Sequence, residues 1–257
     1  MEQRFTFDGI AALYAAVRPE YPAALFDDVA ALAGLGPADD VVEVGCGAGQ
    51  ATLGLARRGY RVLALEPGAA LIEAARRRLA PFPDVRFLQT TFEAWPAPPG
   101  AFRLVAAAQS WHWVDPKTRF VKAADALRLG GALAVFGNIL MPVASPLDEA
   151  FARVYAREAP HLEGLRPGDW YLPGGGLGAL FEQSGRFSPV THKTYPWRDH
   201  CDASGYADLL RTRSDVQLLE PARREKLVAG VAEAINAKGG VVEMRYEAHL
   251  YVAKRAP

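Results

Sequence analysis

Two carboxylates and a run of glycines are the residues of this chain best suited to chemistry. Glu43 stands just ahead of Gly45-Cys46-Gly47-Ala48-Gly49, and Glu66 follows one strand–helix–strand unit later. A glycine loop leaving a strand lets a ligand approach the backbone closely, with a helix N-terminus beside it. Three kinds of cofactor use such a loop. A Walker-type phosphate loop closes on Gly-Lys-Ser/Thr, which this loop lacks. The dinucleotide fingerprint needs glycine at the first, third and sixth places, and the sixth place here is Gln50. The spacing is Gly-x-Gly-x-Gly instead. A carboxylate two residues before the first glycine repels a pyrophosphate and suits a positively charged nucleoside. Glu66 ends the next apolar run, where an acid can accept hydrogen bonds from both ribose hydroxyls, as it does in dinucleotide folds.

A second constellation is Ala108-Gln109-Ser110-Trp111-His112-Trp113. His112 is the candidate catalytic residue, able to take a proton from a hydroxyl or amine, or else simply to pack between two tryptophans and orient the loop. Trp111, Trp113, Trp170 and Tyr171 are candidates for an apolar pocket, or for cation–π contact with a positive ligand. Tyr195, Trp197 and Arg213 are weaker candidates for the same pocket. His161, His192, His200 and His249 show no ligand spacing, so no metal is expected. Cys46 and Cys201 lie far apart and give neither a disulfide framework nor a zinc pattern. Cys46 reads as a small residue tolerated in the loop.

The elements that must position these residues follow from periodicity. Apolar strand-like runs at 40–44, 61–65, 85–89, 102–108 and 132–136 alternate with helical patterns at 51–58, 69–79 and 117–127. That alternation requires right-handed crossovers, hence a mostly parallel sheet with helices on both faces. Gly59 closes the helix at 51–58, and Gly130-Gly131 is expected to close that at 117–127. Beyond Asn138 the rhythm changes. Helices are expected at 147–159, 177–184, 203–211 and 221–237, with strands at 190–197 and 241–253. Gly239-Gly240 suggests a turn into an antiparallel edge hairpin. The reading is one domain over 1–257, with an N-terminal helical arm at 1–36 and a lid or substrate-binding insertion at about 140–180.

Composition narrows the function further. The 257 residues balance 29 basic against 29 acidic side chains, so no basic excess exists to displace counterions from nucleic acid. The densest basic run, Arg76-Arg77-Arg78, ends a predicted helix, where cations suit the helix dipole. Residues 1–8 have no apolar signal-peptide core. No apolar run approaches the ~20 residues that span a bilayer. A cytoplasmic protein with a small-molecule substrate is expected, without nucleic-acid or membrane partners, as a monomer or homodimer.

The sequence resembles the class I S-adenosylmethionine-dependent methyltransferases, in the small-molecule branch that includes trans-aconitate and ubiquinone-type enzymes. Glu43-Val44-Gly45-Cys46-Gly47-Ala48-Gly49 matches the first motif of that family, and Leu65-Glu66-Pro67 the ribose-binding second. Thr90-Thr91-Phe92-Glu93 occupies the place of the adenine-binding Gly-Asp-Ala-Glu, with Thr91 replacing the acid. Tyr14-x-x-x-Arg18-Pro19-x-Tyr21-Pro22 resembles the N-terminal arm of the branch, which folds over the cofactor. The resemblance implies a doubly wound seven-stranded, mostly parallel sheet with an antiparallel edge strand and a helical lid. It implies a cofactor site of Glu43, Gly45, Cys46, Gly47, Gly49, Glu66, Pro67, Thr91, Phe92 and Gln109, with Tyr14 and Arg18 closing on the cofactor's carboxylate. It implies methyl transfer from S-adenosyl-L-methionine to a small molecule, on oxygen, nitrogen or carbon, leaving S-adenosyl-L-homocysteine. Two other readings stay open. One is a non-catalytic S-adenosylmethionine-binding module on the same fold. The other is an NAD(P)-dependent oxidoreductase, against which the glycine spacing argues.

Overall fold

A computed structural model describes residues 8–141, 146–162 and 167–257. Residues 1–7 of the expected arm, and 142–145 and 163–166 of the expected lid, lie outside the described residues. The chain folds around a seven-stranded sheet in the order β3-β2-β1-β4-β5-β7-β6. Strands β1 (Asp40–Val44), β2 (Arg61–Glu66), β3 (Val85–Gln89), β4 (Phe102–Ala108) and β5 (Leu127–Met141) are parallel. Strand β7 (Val241–Lys254) runs antiparallel between β5 and β6 (Thr191–Asp202). β1 and β4 are buried along almost their whole length, as strands covered on both faces must be.

Helices α2 (Ala23–Ala33) and α3 (Gln50–Ala56) cover one face through Leu25, Phe26, Val29, Ala51 and Leu55. Helices α5 (Arg119–Ala126) and α7 (Leu177–Gln183) cover the other through Phe120, Ala123, Leu177 and Phe181. α4 (Ala69–Arg78) meets the short arm helix α1 (Ala11–Val17) through Leu71, Ala74 and Ala11. A separate apolar cluster joins α6 (Pro146–Glu158), α8 (Ala203–Arg211), α9 (Ser214–Gln217) and α10 (Pro221–Asn236), centred on Val154, Leu210, Val216, Leu227 and Val231.

Three details differ from the sequence expectation. α5 stops at Ala126 and β5 begins at once, so Gly130-Gly131 lies inside the strand. There the register against β4 shifts, Gly130 has φ +73°, and a Cβ at Gly131 would sit 2.9 Å from the Arg128 carbonyl. The pair makes a sheet irregularity rather than a helix stop. Gly239-Gly240 is not a hairpin turn either. It terminates α10, with the Gly240 amide donating to the Ile235 carbonyl at 3.0 Å and both glycines at positive φ. The antiparallel pair β6–β7 is joined instead by the excursion through α8, α9 and α10. The edge strand is therefore β6, largely exposed and carrying Pro196, a residue that edge strands tolerate.

Candidate active site

The carboxyl ends of β1, β2, β4 and β5 open into a cavity of about 390 Å³. The glycine loop forms its floor. Gly45, Gly47 and Gly49 all have positive φ, a conformation costly for other residues. A Cβ on Gly45 would lie 2.6 Å from Ser110 Cβ, so this glycine lets the ends of β1 and β4 meet. The Ser110 hydroxyl completes that contact by donating to the Val44 carbonyl. Gly49 does not line the cavity. It lets the start of α3 pack on α4, since a Cβ there would be 3.0 Å from Leu79 Cδ1.

Glu66 is held by two backbone amides. Its Oε2 accepts from Gly47 N at 3.0 Å and its Oε1 from Gly68 N at 2.9 Å. A carboxylate oxygen can accept more than one hydrogen bond, so these anchors are compatible with a grip on vicinal hydroxyls. Glu43 is different. It is 1% exposed, and neither of its oxygens has a hydrogen-bond partner among the described residues. Burial pushes its pKa up to about 7, with Thr52 pulling the other way and Glu66 adding to the rise. Thr52 is close enough to favour the carboxylate but does not complete a hydrogen bond to it, so a cationic ligand in the cavity would favour the ionised form further.

The remaining expected cofactor residues divide. Cys46, Pro67, Thr91, Phe92, Gln109, Tyr14 and Arg18 all line the cavity. Burial and the two acids raise the Cys46 thiol's pKa, so it is inert. The Thr91 hydroxyl accepts from Ala94 N at 3.2 Å and so caps its own turn. Phe92 is 2% exposed and packs its ring against Trp95 and Trp111. Gln109 has φ +51° and sits in a network: its Oε1 accepts from Tyr21 at 3.1 Å, and its Nε2 donates to the Asn138 carbonyl at 3.2 Å. The Arg18 guanidinium lies over the Tyr14 ring at 5.1 Å and donates to the Thr212 carbonyl at 2.6 Å, while its Nε is buried without a partner.

Of the expected catalytic and pocket residues, His112, Trp113 and Tyr171 line the cavity, whereas Trp111 and Trp170 do not. Trp111 is fully buried between Phe92 and Phe120, and Trp170 packs over the Arg119 guanidinium at 5.4 Å. His112 Nδ1 lies 3.2 Å from the Tyr171 hydroxyl. The ring is open to the cleft yet ringed by protein. Those walls, and then Arg119, disfavour the imidazolium and lower its pKa to about 4. Tyr195 and Trp197 are not lining residues. Tyr195 donates to Asp28 at 2.6 Å and Trp197 to Asn138 Oδ1 at 3.1 Å. Arg213 does line the cavity, but Asp215 holds it bidentately at 3.1 and 2.5 Å. No metal-binding cluster of histidine, cysteine and carboxylates exists among the described residues.

Sequence reasoning missed several lining residues. Tyr21 belonged to the quoted arm motif, and its type alone pointed to a role. Gln50, whose Nε2 is buried without a partner, sat in the glycine loop as a spacing mismatch only. Asn138 lay past the expected end of the fifth strand at 136, and only the longer observed β5 brings it into the sheet. Asp215 and Tyr246 gave no local signal.

Residues 41–131 match the family model described as a methyltransferase domain. An uncharacterised methyltransferase of Mycobacterium tuberculosis is 31% identical over 137 residues, 53% of this chain and 54% of that protein. A trans-aconitate 2-methyltransferase of Afipia carboxidovorans is 36% identical over 101 residues, 38% of each chain. The chain thus spans about half the length, or less, of these curated relatives. A solved structure assigned as a type II methyltransferase from Anaeromyxobacter dehalogenans is 28% identical with a TM-score of 0.62, covering 93% of this chain and 96% of that one. Residues 41–131 are thus similar to a methyltransferase domain, and the seven-stranded sheet has the class I methyltransferase fold.

Proposed function

We propose that the chain transfers a methyl group from S-adenosylmethionine to a small-molecule acceptor. The observation that carries this reading is the pair of acids flanking the glycine loop: Glu66 anchored by the Gly47 and Gly68 amides, and Glu43 buried with no completed hydrogen bond among the described residues. The residues fit the cofactor. Glu66 would take the ribose hydroxyls and Glu43 the positive methionine end. Arg18 and Tyr14 would meet the carboxylate, with Pro67, Thr91 and the Phe92 backbone along the adenine. When bound, the cofactor supplies an electrophilic methyl group. The protein supplies position and a dry, charged frame. Gln109 and Asn138 tie the arm to the ends of β4 and β5, beside His112, Trp113 and Tyr171. The cover over this end draws on Leu140, Met141, Gly168, Asp169 and Leu172, and also on α8 and α9 with the turn between them, which bring Leu209, Arg213 and Asp215 to the wall. The acceptor enters beneath that cover.

Calorimetric titration with S-adenosylhomocysteine tests the reading. Glu66→Ala is expected to weaken binding by about 1–3 kcal/mol, the scale of a charged hydrogen-bond partner. Unchanged affinity in that variant, or no binding by the unmodified protein, would remove the proposal's basis.

A further inference from the structure

We propose that Tyr171 is a positioning residue that locks His112 in the Nε2–H tautomer, making His112 a hydrogen-bond donor to the acceptor rather than its base. The geometry of the pair sets the direction. The Tyr171 hydroxyl has one hydrogen-bond partner among the described residues, His112 Nδ1 at 3.2 Å. Tyr171 is 1% exposed, so its proton has no water to turn to. Between a neutral phenol and a neutral imidazole, the phenol is the stronger acid and the imidazole nitrogen the stronger base. The favoured bond therefore runs from Tyr171 O–H to Nδ1, and the ring proton must sit on Nε2.

The surroundings hold this arrangement from several sides. The Tyr251 hydroxyl donates to the Tyr171 carbonyl at 2.9 Å, fixing its backbone. Gly137 leaves room for the ring, since a Cβ there would lie 3.1 Å from it. Burial keeps the phenol protonated. The His112 ring is clasped by Trp113 at 4.6 Å and Trp170 at 6.0 Å, centroid to centroid. Arg119, itself buried and with its Nε unpartnered among the described residues, opposes a second positive charge on the ring. Nε2 has no partner among the described residues and the ring is open to the cleft. An N–H at that position orients a lone pair on the acceptor. Any proton the acceptor carries leaves to water, not to His112.

The role in catalysis rests on the methyl-transfer reading above, but the tautomer does not. Long-range ¹⁵N–¹H correlation spectra of the cofactor-free protein read it directly, with the His112 signals identified by their loss in His112→Gln. The expected spectrum at neutral pH shows a protonated Nε2 and a bare Nδ1. Tyr171→Phe is expected to shift His112 toward a mixture of tautomers. Should that variant not fold, uniform incorporation of 3-fluorotyrosine makes the phenol a better donor, and the Nδ1 resonance is expected to move further from its unbonded position. A protonated Nδ1 in the unmodified protein overturns the proposal. So does a tautomer, or an Nδ1 shift, that ignores the change at Tyr171. Failure of S-adenosylhomocysteine to bind would instead strike the methyl-transfer reading and leave the tautomer standing.

Discussion

Glu43 concentrates the electrostatics of the site in one side chain. Its carboxyl has a pKa of about 7 in the folded cofactor-free protein, against an ordinary value of 4.5. The folded state thus holds a proton that the unfolded chain has released between those values. Stability from this group is fully present below pH 4.5, falls as pH rises toward 7, and is level above. The gap corresponds to at most about 3 kcal/mol. Glu43→Gln, which cannot ionise, is expected to unfold at higher denaturant than the parent at pH 8, with the difference vanishing near pH 4. A ligand ammonium beside Glu43 reverses the balance by favouring the carboxylate. Binding of S-adenosylhomocysteine near pH 6.5 is then expected to release a proton, seen as a binding enthalpy that changes with the buffer's ionisation enthalpy. Glu43→Gln should lose that dependence along with affinity. An equal buffer dependence in the variant would show that Glu43 does not meet the ligand's charge. Glu43, the glycine loop and Glu66 were all legible in the sequence, because a strand, a tight turn and the next strand place them within one local unit. The absence of any partner for Glu43 was not, since that is a property of what surrounds it.

At the scale of elements, the strands and most helices were legible because apolar period reports burial directly. The glycine pairs were misread because glycine marks several backbone exceptions without distinguishing them. Gly130-Gly131 carries a register shift, and Gly239-Gly240 caps a helix. Gly137 is a third kind, a strand glycine required by close approach. A Cβ there would meet Gln109 Cγ at 3.0 Å on one side and the Tyr171 ring at 3.1 Å on the other. Tyr171 is buried and pinned at its carbonyl, so the Gln109 side chain must give. Gly137→Ala is therefore expected to weaken S-adenosylhomocysteine binding by about 1 kcal/mol while leaving the β-sheet circular dichroism unchanged. Retention of full affinity would mean that Gln109 stands away from the cofactor. Its other contacts, to Tyr21 and Asn138, join residues 88 and 29 positions apart, which no local pattern announces.

The whole molecule divides its apolar packing between the sheet and the cover. The cluster joining α6, α8, α9 and α10 is distinct from the two clusters that flank the sheet. The sequence reading expected helices at 203–211 and 221–237 but could not say what they pack against, so the second half of the cover was not recognised. The division has a consequence for cooperativity. Gly230 on α10 lets α6 approach so closely that a Cβ would lie 2.8 Å from Val154 Cγ1. Val154 is branched and buried, with little freedom to turn away. Gly230→Val is expected to cost about 1–3 kcal/mol of overpacking, borne where the two helices meet. Because the cover has its own core, the loss should appear as local opening. Amide hydrogen exchange should accelerate across 146–162 and 203–236, while β1, β4 and β5 keep their protection and S-adenosylhomocysteine affinity stays within about twofold of the parent, a few tenths of a kcal/mol. Faster exchange spread evenly into the parallel strands would instead make the cover and the sheet one cooperative unit, and the cleft could then open only by unfolding the chain that builds it.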